Sequence, residues 1–173
     1  IGQAVDCIVR AGFSRIAYLG SPGNLEYVAN RRRGFNSRCA ACGVTGQSFA
    51  LAPTECWSEN IGQAMDAIYA ADFQAVVAET DAMAAVILQW AYHRRLAVPE
   101  QLTVTGFADM SFAAWCMVPL TTVAQPLDLL GATAAEQLLR WIAAPDPEAF
   151  SCYRNISLPV KLVIRQSVRN TQP

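Results

Sequence analysis

The densest group of chemically versatile side chains is a run of three arginines, Arg31, Arg32 and Arg33, inside a helical pattern. Neighbouring residues of a helix point in different directions, so Arg31 and Arg33 cannot both face one surface. A guanidinium that faces a cleft can hold a carboxylate or two hydroxyl groups with a pair of hydrogen bonds. The run therefore predicts one ligand-binding arginine, with Arg32 on a solvated face. Three arginines alone are too few for a nucleic-acid surface.

Catalytic chemistry has little support in the sequence. His93 is the only histidine, and it stands beside Arg94 and Arg95 in the late, exposed part of a helical pattern. The sequence contains no GxSxG nucleophile motif, no phosphate-binding P-loop and no GxGxxG dinucleotide motif. We therefore predict that the chain is not an enzyme and uses no cofactor.

The cysteines are scattered through apolar stretches: Cys7, Cys39, Cys42, Cys56, Cys116 and Cys152. Cys39 and Cys42 have the spacing of a redox motif or of half a zinc site. The pair ends a helical pattern instead of opening one, and the single histidine has no cysteine near it. We predict free, mostly buried thiols in a reducing cytoplasm, and no metal site.

Other candidate ligand contacts follow apolar strand patterns. Asp81 and Asp109 each come just after such a strand, where a carboxylate can also cap the next helix. Asp81 opens a helical pattern, so we interpret it as the cap and its neighbour Thr80 as the ligand contact. Trp57 lies in a predicted loop, where it either stacks on a ligand ring or packs over the edge of the domain, and the sequence favours neither.

Alternating strand and helix patterns must position these residues. The predicted strands are 15–19, 45–51, 74–78, 102–107 and 121–124, and the predicted helices are 2–11, 25–42, 59–70, 81–95 and 127–143. Continuous apolar strands between helices indicate an α/β fold, with a parallel sheet flanked by helices on both faces. Such sheets bind ligands at the carboxyl ends of their strands. Those ends are followed here by 21–24, 53–57, 79–81, 108–109 and Gln125.

Composition excludes several protein classes. Lys and Arg number 13 against 14 for Asp and Glu, so the net charge of -1 does not fit a basic nucleic-acid coat. No apolar run reaches the ~18 residues of a membrane helix, and Asp6 and Arg10 interrupt any early signal sequence. The chain starts at Ile1 directly in a helical pattern, whereas α/β domains normally start with a strand. We therefore expect a piece of a longer protein.

Five segments form an ordered set of motifs: GFSRIAYLGSP, RRRGF, VVAETDAMAAVIL, LAVPEQLTVTGFADMSFAAWCMVPLTTVAQPLDLLGATAAEQLL and the closing LPVKLVIRQS. In this order they resemble LGHRRIAxIGGP, RxxGF, IFAxNDxMAxGxL, xxVPEDVSVVGFDDxxxAxxxxPxLTTVxQPxxxxGxxAxxLL and LPxxLVxRxS of the LacI/GalR-type transcriptional regulators. The resemblance runs from about Gly2 to Ser167, which is nearly the whole chain.

The resemblance implies a two-lobed periplasmic-binding-protein-like core of type I behind an N-terminal helix-turn-helix domain. It assigns 1–126 to the C-terminal lobe of the effector-binding domain, and 127–158 to a crossover helix and strand of the missing N-terminal lobe. Residues 159–173 become a return segment. We expect 154–158 to be displaced from the sheet, because their own sheet lies in the missing lobe. Operator DNA would be bound only through the missing N-terminal domain.

The resemblance also implies an effector site, residue by residue. Arg31 aligns with the arginine that binds the effector, and Thr80 stands where the family usually has an effector-contacting asparagine. Trp57 matches an aromatic residue that stacks on the sugar in some members. Gln125 matches the hinge-region glutamine of TTVxQP. These matches predict a small-molecule effector, with no membrane partner.

Ala108 departs from the family pattern. The family's GFDD has an aspartate there that accepts hydrogen bonds from sugar or purine groups, whereas this chain has GFAD. Asp109 is then the second aspartate, which more often supports the loop. Because a carboxylate near Arg31 would repel an anion, its loss favours a sugar acid over a neutral sugar. GFxD with a small residue also resembles the gluconate-type repressors, so we expect a sugar or a sugar acid such as gluconate.

Assembly and overall function follow from the same resemblance. The family's helix after the ND motif helps to form a two-fold dimer, and the pattern 81–95 is more apolar than one buried stripe needs. We predict a homodimer through Ala82, Ala85, Val86, Gln89 and Tyr92. The predicted function is the effector-sensing and dimerisation domain of a cytoplasmic LacI-type regulator. The alternative is a periplasmic solute-binding protein for a sugar-like ligand, which the unpaired cysteines and the LPVKLVIRQS ending disfavour.

Overall fold

The computed structural model describes residues 1–23, 25–52, 57–143 and 156–169. Helices and strands alternate along them in the order α1 (Gly2–Arg10), β1 (Arg15–Gly20), α2 (Glu26–Cys42), β2 (Thr45–Ala50), α3 (Trp57–Ala70), β3 (Ala75–Ala78), α4 (Asp81–His93), β4 (Thr103–Ala108), a short 3₁₀ helix (Ser111–Trp115), β5 (Thr121–Ala124), α5 (Leu127–Ala143) and β6 (Lys161–Val163). This order confirms the predicted alternation.

The predicted ends of two helices differ from the observed ones by two residues. Helix α3 begins at Trp57, earlier than the predicted Glu59, so Trp57 is helical and not part of a loop. Helix α4 ends at His93, because the chain turns at Arg95, whose φ is 57°. Asn24 and residues 53–56, which belong to the predicted loops, lie outside the described residues.

The strands form one sheet in the order β2-β1-β3-β4-β5-β6. The pairs β1–β2, β1–β3, β3–β4 and β4–β5 are all parallel, with Ala17 opposite Val76 and Ala108 opposite Ala124. Strand β2 is the edge strand next to β1 and is largely exposed, which differs from the fully apolar strands expected. The mostly parallel sheet confirms the predicted α/β class.

Helices cover both faces of the sheet. Successive residues of a strand point to these two faces in turn. Leu19 joins the core under α3 and α4, where it is buried with Met65 and Ile87. Its neighbour Tyr18 points to the other face, where its ring lies 5.4 Å from that of Phe35 in α2. The parallel strands are thus buried between two helix layers, and their carboxyl ends emerge at one edge.

The C-terminal segment is bonded into the middle of the sheet. The buried Ser167 hydroxyl donates to the Val104 carbonyl at 2.6 Å and accepts from the Thr121 amide at 2.8 Å. Arg165 adds a backbone hydrogen bond of 2.9 Å to the Thr121 hydroxyl. Of the predicted displaced segment 154–158, the first two residues lie outside the described part, and 156–158 form no strand.

The chain separates into two compact units. The first contains Ile1–Ala124 and the segment from Leu162 onward, and the second is Gln125–Lys161. In the second unit, helix α5 has no buried residue. Its large apolar side chains are exposed: Leu127, Leu129, Leu130, Leu138, Leu139, Trp141 and Ile142. Across the described ranges, we find no helix with the length and apolarity that a bilayer crossing requires.

Candidate functional site

Arg31 stands over the carboxyl ends of β3 and β4. Its half-buried guanidinium donates a hydrogen bond of 3.0 Å to the Glu79 carbonyl. Its Cζ lies 4.1 Å from the centre of the Phe107 ring and 5.2 Å from that of Tyr27. An arginine side chain held by a carbonyl and an aromatic face is well oriented, and its other N–H donors stay available for a ligand.

The other two arginines of the run behave differently from Arg31. Arg33 is exposed and donates to the side-chain oxygen of Asn30, so it does not face the strand ends. Arg32 is half-buried, whereas the sequence predicted a solvated residue. Arg31 thus contacts the residue that follows β3, and its predicted contact with an effector stays a prediction.

Thr80, and not Asp81, caps α4, so the predicted helix cap was wrong. The Thr80 hydroxyl caps α4 by accepting a hydrogen bond of 3.2 Å from the Met83 amide. The fully buried Asp81 carboxylate accepts from the Thr122 hydroxyl at 2.5 Å and from the Met110 amide at 2.7 Å. Asp81 thus joins α4 to β5 and to the loop after β4. Thr80 is half-exposed beside Glu79, so its predicted ligand contact stays a prediction.

The turn after β4 has an unusual backbone. Ala108 has a φ of 122° and Asp109 a φ of 58°, a region that favours glycine. The Asp109 carboxylate forms an ion pair of 2.7 Å with Arg165, which also donates to the Leu120 carbonyl at 2.8 Å. Asp109 therefore supports the loop, in agreement with its interpretation as the second aspartate of the motif.

Two further predicted site residues, Trp57 and Gln125, belong to other elements of the structure. Trp57 is the first residue of α3 and is 42% exposed, and the residues before it lie outside the described part. Gln125 is half-buried in the second unit, where its carbonyl accepts a hydrogen bond of 2.9 Å from the Leu127 amide. Their predicted contacts with the effector stay predictions.

Sequence reasoning did not single out three residues around Arg31: Phe107, Glu79 and Tyr18. The ring of Phe107 packs against the guanidinium of Arg31. Glu79 is a carboxylate only 1% exposed, and Tyr18 is a buried phenol with no hydrogen-bond partner for its hydroxyl among the described residues. A glutamate directly after the apolar QAVVA strand was the available signal, because a charge at a strand end of a parallel sheet faces the ligand edge.

Glu79 acts electrostatically on Tyr18. Burial, followed by the negative charge of Glu79, raises the pKa of Tyr18, so the phenol stays protonated at neutral pH. The Glu79 carboxylate accepts a hydrogen bond from the Ser21 amide in the loop after β1. Arg31 contacts the carbonyl of Glu79 and not its carboxylate, so the predicted loss of a carboxylate beside Arg31 stays a prediction.

The cysteines within the described residues show no reactive arrangement. Cys7, Cys39, Cys42 and Cys116 are free, and the first two are buried. Burial raises the pKa of Cys39 to about 11, with Cys42 as a further cause, which is unlike a redox motif. Cys56 and Cys152 lie outside the described part. In that part, no three residues of the metal-binding types come together as a possible metal site.

The predicted dimer residues lie on the outer face of α4. Ala82, Gln89 and Tyr92 are exposed, and Ala85 and Val86 are half-buried. Val86 and Gln89 line a groove of about 240 Å³ between α3 and α4. After β4, Trp115 and Met117 are 87% and 59% exposed, and the sequence interpretation did not single them out.

Comparisons with known proteins agree with this architecture. Residues 5–168 match the model of the periplasmic binding protein-like domain family. The ribose operon repressor of Escherichia coli K12 is 40% identical over 72 residues, which cover 42% of this chain and 22% of that protein. The regulator DegA of Bacillus subtilis is 28% identical over 169 residues, covering 95% of this chain and 48% of that protein. This chain thus spans less than half the length of these curated relatives.

A solved structure with the same fold is the transcription regulator GntR from Chromobacterium violaceum. It superposes with a TM-score of 0.80 at 28% identity, over 96% of this chain and 62% of that one. The relatives named above are transcriptional regulators, not enzymes. The family model covers almost all of the sequence, and the fold of this chain is that of its structural neighbour. The chain therefore belongs to the periplasmic binding protein-like domain family.

Proposed function

We propose that this chain is the effector-sensing and dimerisation domain of a cytoplasmic LacI-type transcriptional regulator, and that it binds a small sugar or sugar acid. Operator DNA is bound by the full-length protein through a separate N-terminal domain. A ligand acts on such a protein only through its different affinity for two arrangements of the lobes.

The observation that carries this proposal is the oriented guanidinium of Arg31 at the carboxyl ends of the strands. Its contacts with Phe107 and the Glu79 carbonyl fix its direction, so little side-chain entropy is lost when a ligand binds. Sugar hydroxyls and carboxylates are both acceptors for such a planar donor group. Thr80 adds a hydroxyl beside it.

The apolar helix α5 supports the proposed lobe arrangement. A helix with seven large apolar side chains exposed and none buried needs a further partner, since exposed apolar patches of this kind normally mark an interface. We assign 127–158 to the other lobe of the effector domain, whose surface covers α5 in the full-length protein.

Dimerisation is proposed through the outer face of α4. Ala82, Ala85, Val86 and Gln89 follow the helical spacing of one stripe, and the groove beside this stripe gives a second copy room to interdigitate.

Operator binding by the full-length protein tests the proposal. Fluorescence anisotropy with DNA from upstream of its own gene measures the operator Kd, with and without aldoses and their aldonic acids. We expect specific binding that at least one of these ligands shifts by about fivefold or more, the usual range of allosteric coupling. A full-length protein that binds such a ligand but has no DNA-binding domain would instead be the alternative, a solute-binding protein.

A further inference from the structure

The turn after β4, residues 108–110, is held from two sides. On one side, the Met110 amide donates a hydrogen bond of 2.7 Å to the buried Asp81 carboxylate at the start of α4. On the other side, Asp109 forms its ion pair of 2.7 Å with Arg165 of the C-terminal segment. The Arg165 and Asp109 side chains are only 20% and 26% exposed, so water and salt screen this pair less than they screen a surface pair.

Arg165 is itself anchored to the sheet by contacts that do not involve Asp109. A second nitrogen of its guanidinium donates to the Leu120 carbonyl at 2.8 Å, and its backbone amide donates to the Thr121 hydroxyl at 2.9 Å. Both acceptors lie at the start of β5. Because the guanidinium is a planar fork of donors, holding one nitrogen at Leu120 also fixes the direction of the nitrogen that meets Asp109.

The backbone of this turn is strained. The φ angles of Ala108 and Asp109 are both in the positive region that favours glycine. Conformations of this kind persist where the surrounding structure determines them, and they are concentrated at ligand sites. Aspartate adopts positive φ more readily than most residues, but alanine has no such tolerance. The contacts of Asp81 and Arg165 therefore account for the persistence of this turn.

The turn is next to the candidate binding arginine and accessible. It directly follows Phe107, whose ring centre lies 4.1 Å from Cζ of Arg31. Ala108 and Asp109 are both half-buried at the carboxyl end of β4, so solvent reaches them. Ala108 has no polar side chain, and the Asp109 carboxylate is engaged by Arg165. The hydrogen-bonding groups that this turn can point at a ligand are thus mainly those of its backbone, whose directions depend on the φ angles.

We propose that Arg165 is a positioning residue of the effector site, whose ion pair with Asp109 holds the turn in the form in which the main-chain groups of Ala108 and Asp109 bind the ligand. The turn contributes to binding in this way without a carboxylate at Ala108. Arg165 does not touch the ligand, and it acts by removing the entropic cost of ordering the turn when the ligand binds. This inference rests on the proposed function.

Calorimetry on the full-length protein tests the inference, with the aldopentoses, the aldohexoses and their aldonic acids as probes. We expect Asp109→Asn to weaken the Kd of the tightest probe by about fivefold or more, because asparagine tolerates the backbone conformation but removes the ion pair. Arg165→Lys should have a similar effect, since an ammonium does not reproduce the fork that joins Asp109 to Leu120. The double variant should lose no more than the larger single loss, because the two residues act as one pair.

Arg94→Lys is the matched control for these substitutions. Arg94 also forms an ion pair with an aspartate, Asp66, but it follows the last residue of α4. A helix of 13 residues is about 20 Å long, so this pair is remote from the strand ends at which α4 begins. Arg94→Lys should leave the Kd of every probe unchanged.

Hydrogen exchange gives a second readout, which needs no ligand. The Met110 amide is protected by its hydrogen bond to Asp81, so its exchange rate measures how often the turn opens. We expect exchange at Met110 to be about tenfold faster in Arg165→Lys and in Asp109→Asn than in the wild type, and unchanged in Arg94→Lys. A merely structural role of the ion pair would lower the melting temperature and leave the Kd of the folded protein unchanged.

Two results would overturn the inference and leave the proposed function intact. The first is a wild type that binds a probe with a Kd that neither Asp109→Asn nor Arg165→Lys weakens. The second is an exchange rate at Met110 that neither variant changes. A wild type that binds none of the probes would contradict the proposed function, and the inference with it.

Discussion

The orientation of the Arg31 side chain is set by residues that are far from it in the sequence. The motif around it indicates a ligand-binding arginine, but its partners Glu79 and Phe107 come from two other elements of the sheet. Spacing along the chain could therefore single out Arg31 and not these partners. The loss of a carboxylate at Ala108 was visible in the sequence, because it is a departure from a local motif.

Ala108 carries strain that a glycine would relieve. Its φ of 122° is unfavourable for any residue with a Cβ. Ala108→Gly should therefore raise the free energy of unfolding by about 1 kcal/mol, since the relieved strain exceeds the entropic cost of glycine. Urea unfolding followed by circular dichroism measures the change.

The sheet partner of Ala108 provides the control. Ala124 lies opposite it in β5, and its φ is not in the positive region. Ala124→Gly should lower the stability by about 0.5–1 kcal/mol, the usual cost of glycine in a strand. Equal destabilisation by both substitutions would show that the turn at Ala108 is unstrained.

The helices and strands were largely predictable, because continuous apolar strands and periodic helices are local signals. The roles of the residues at the ends of these elements were not predictable. Thr80 and Asp81 both fit a helix start, and only the long-range hydrogen bonds of Asp81 to Thr122 and Met110 decide which one caps α4. The start of α3 was placed too late for a similar reason, since Trp57 gives no local helix signal.

Ser167 is the residue through which the C-terminal segment holds β4 and β5 together. Ser167→Ala would leave the Val104 carbonyl and the Thr121 amide without this buried partner. We expect a loss of about 2–3 kcal/mol in the free energy of unfolding. Ser111→Ala, at an exposed position, is the control. A loss below about 0.5 kcal/mol for Ser167→Ala would mean that the segment is not part of the cooperative core.

At the scale of the whole molecule, the proposed dimer depends on the outer face of α4. Arginines introduced together at the exposed positions Ala82 and Gln89 should convert the dimer to a monomer, because they place charges in an apolar contact. Sedimentation equilibrium measures the change. Ser37→Arg, exposed on α2, should leave the dimer intact. A wild type that is already monomeric at high concentration would contradict the proposed assembly.

The measurement that tests the central claim most directly is ligand affinity for the full-length protein with Arg31→Lys, against Arg33→Lys as the control on the same helix. A lysine keeps the charge but not the planar donor pair, so Arg31→Lys should weaken the Kd by about tenfold or more, ~1.4 kcal/mol. The exposed Arg33 should tolerate the change within about twofold, the range typical of surface substitutions. Unchanged affinity in Arg31→Lys, or equal losses in both variants, would contradict a ligand site at the carboxyl ends of the strands.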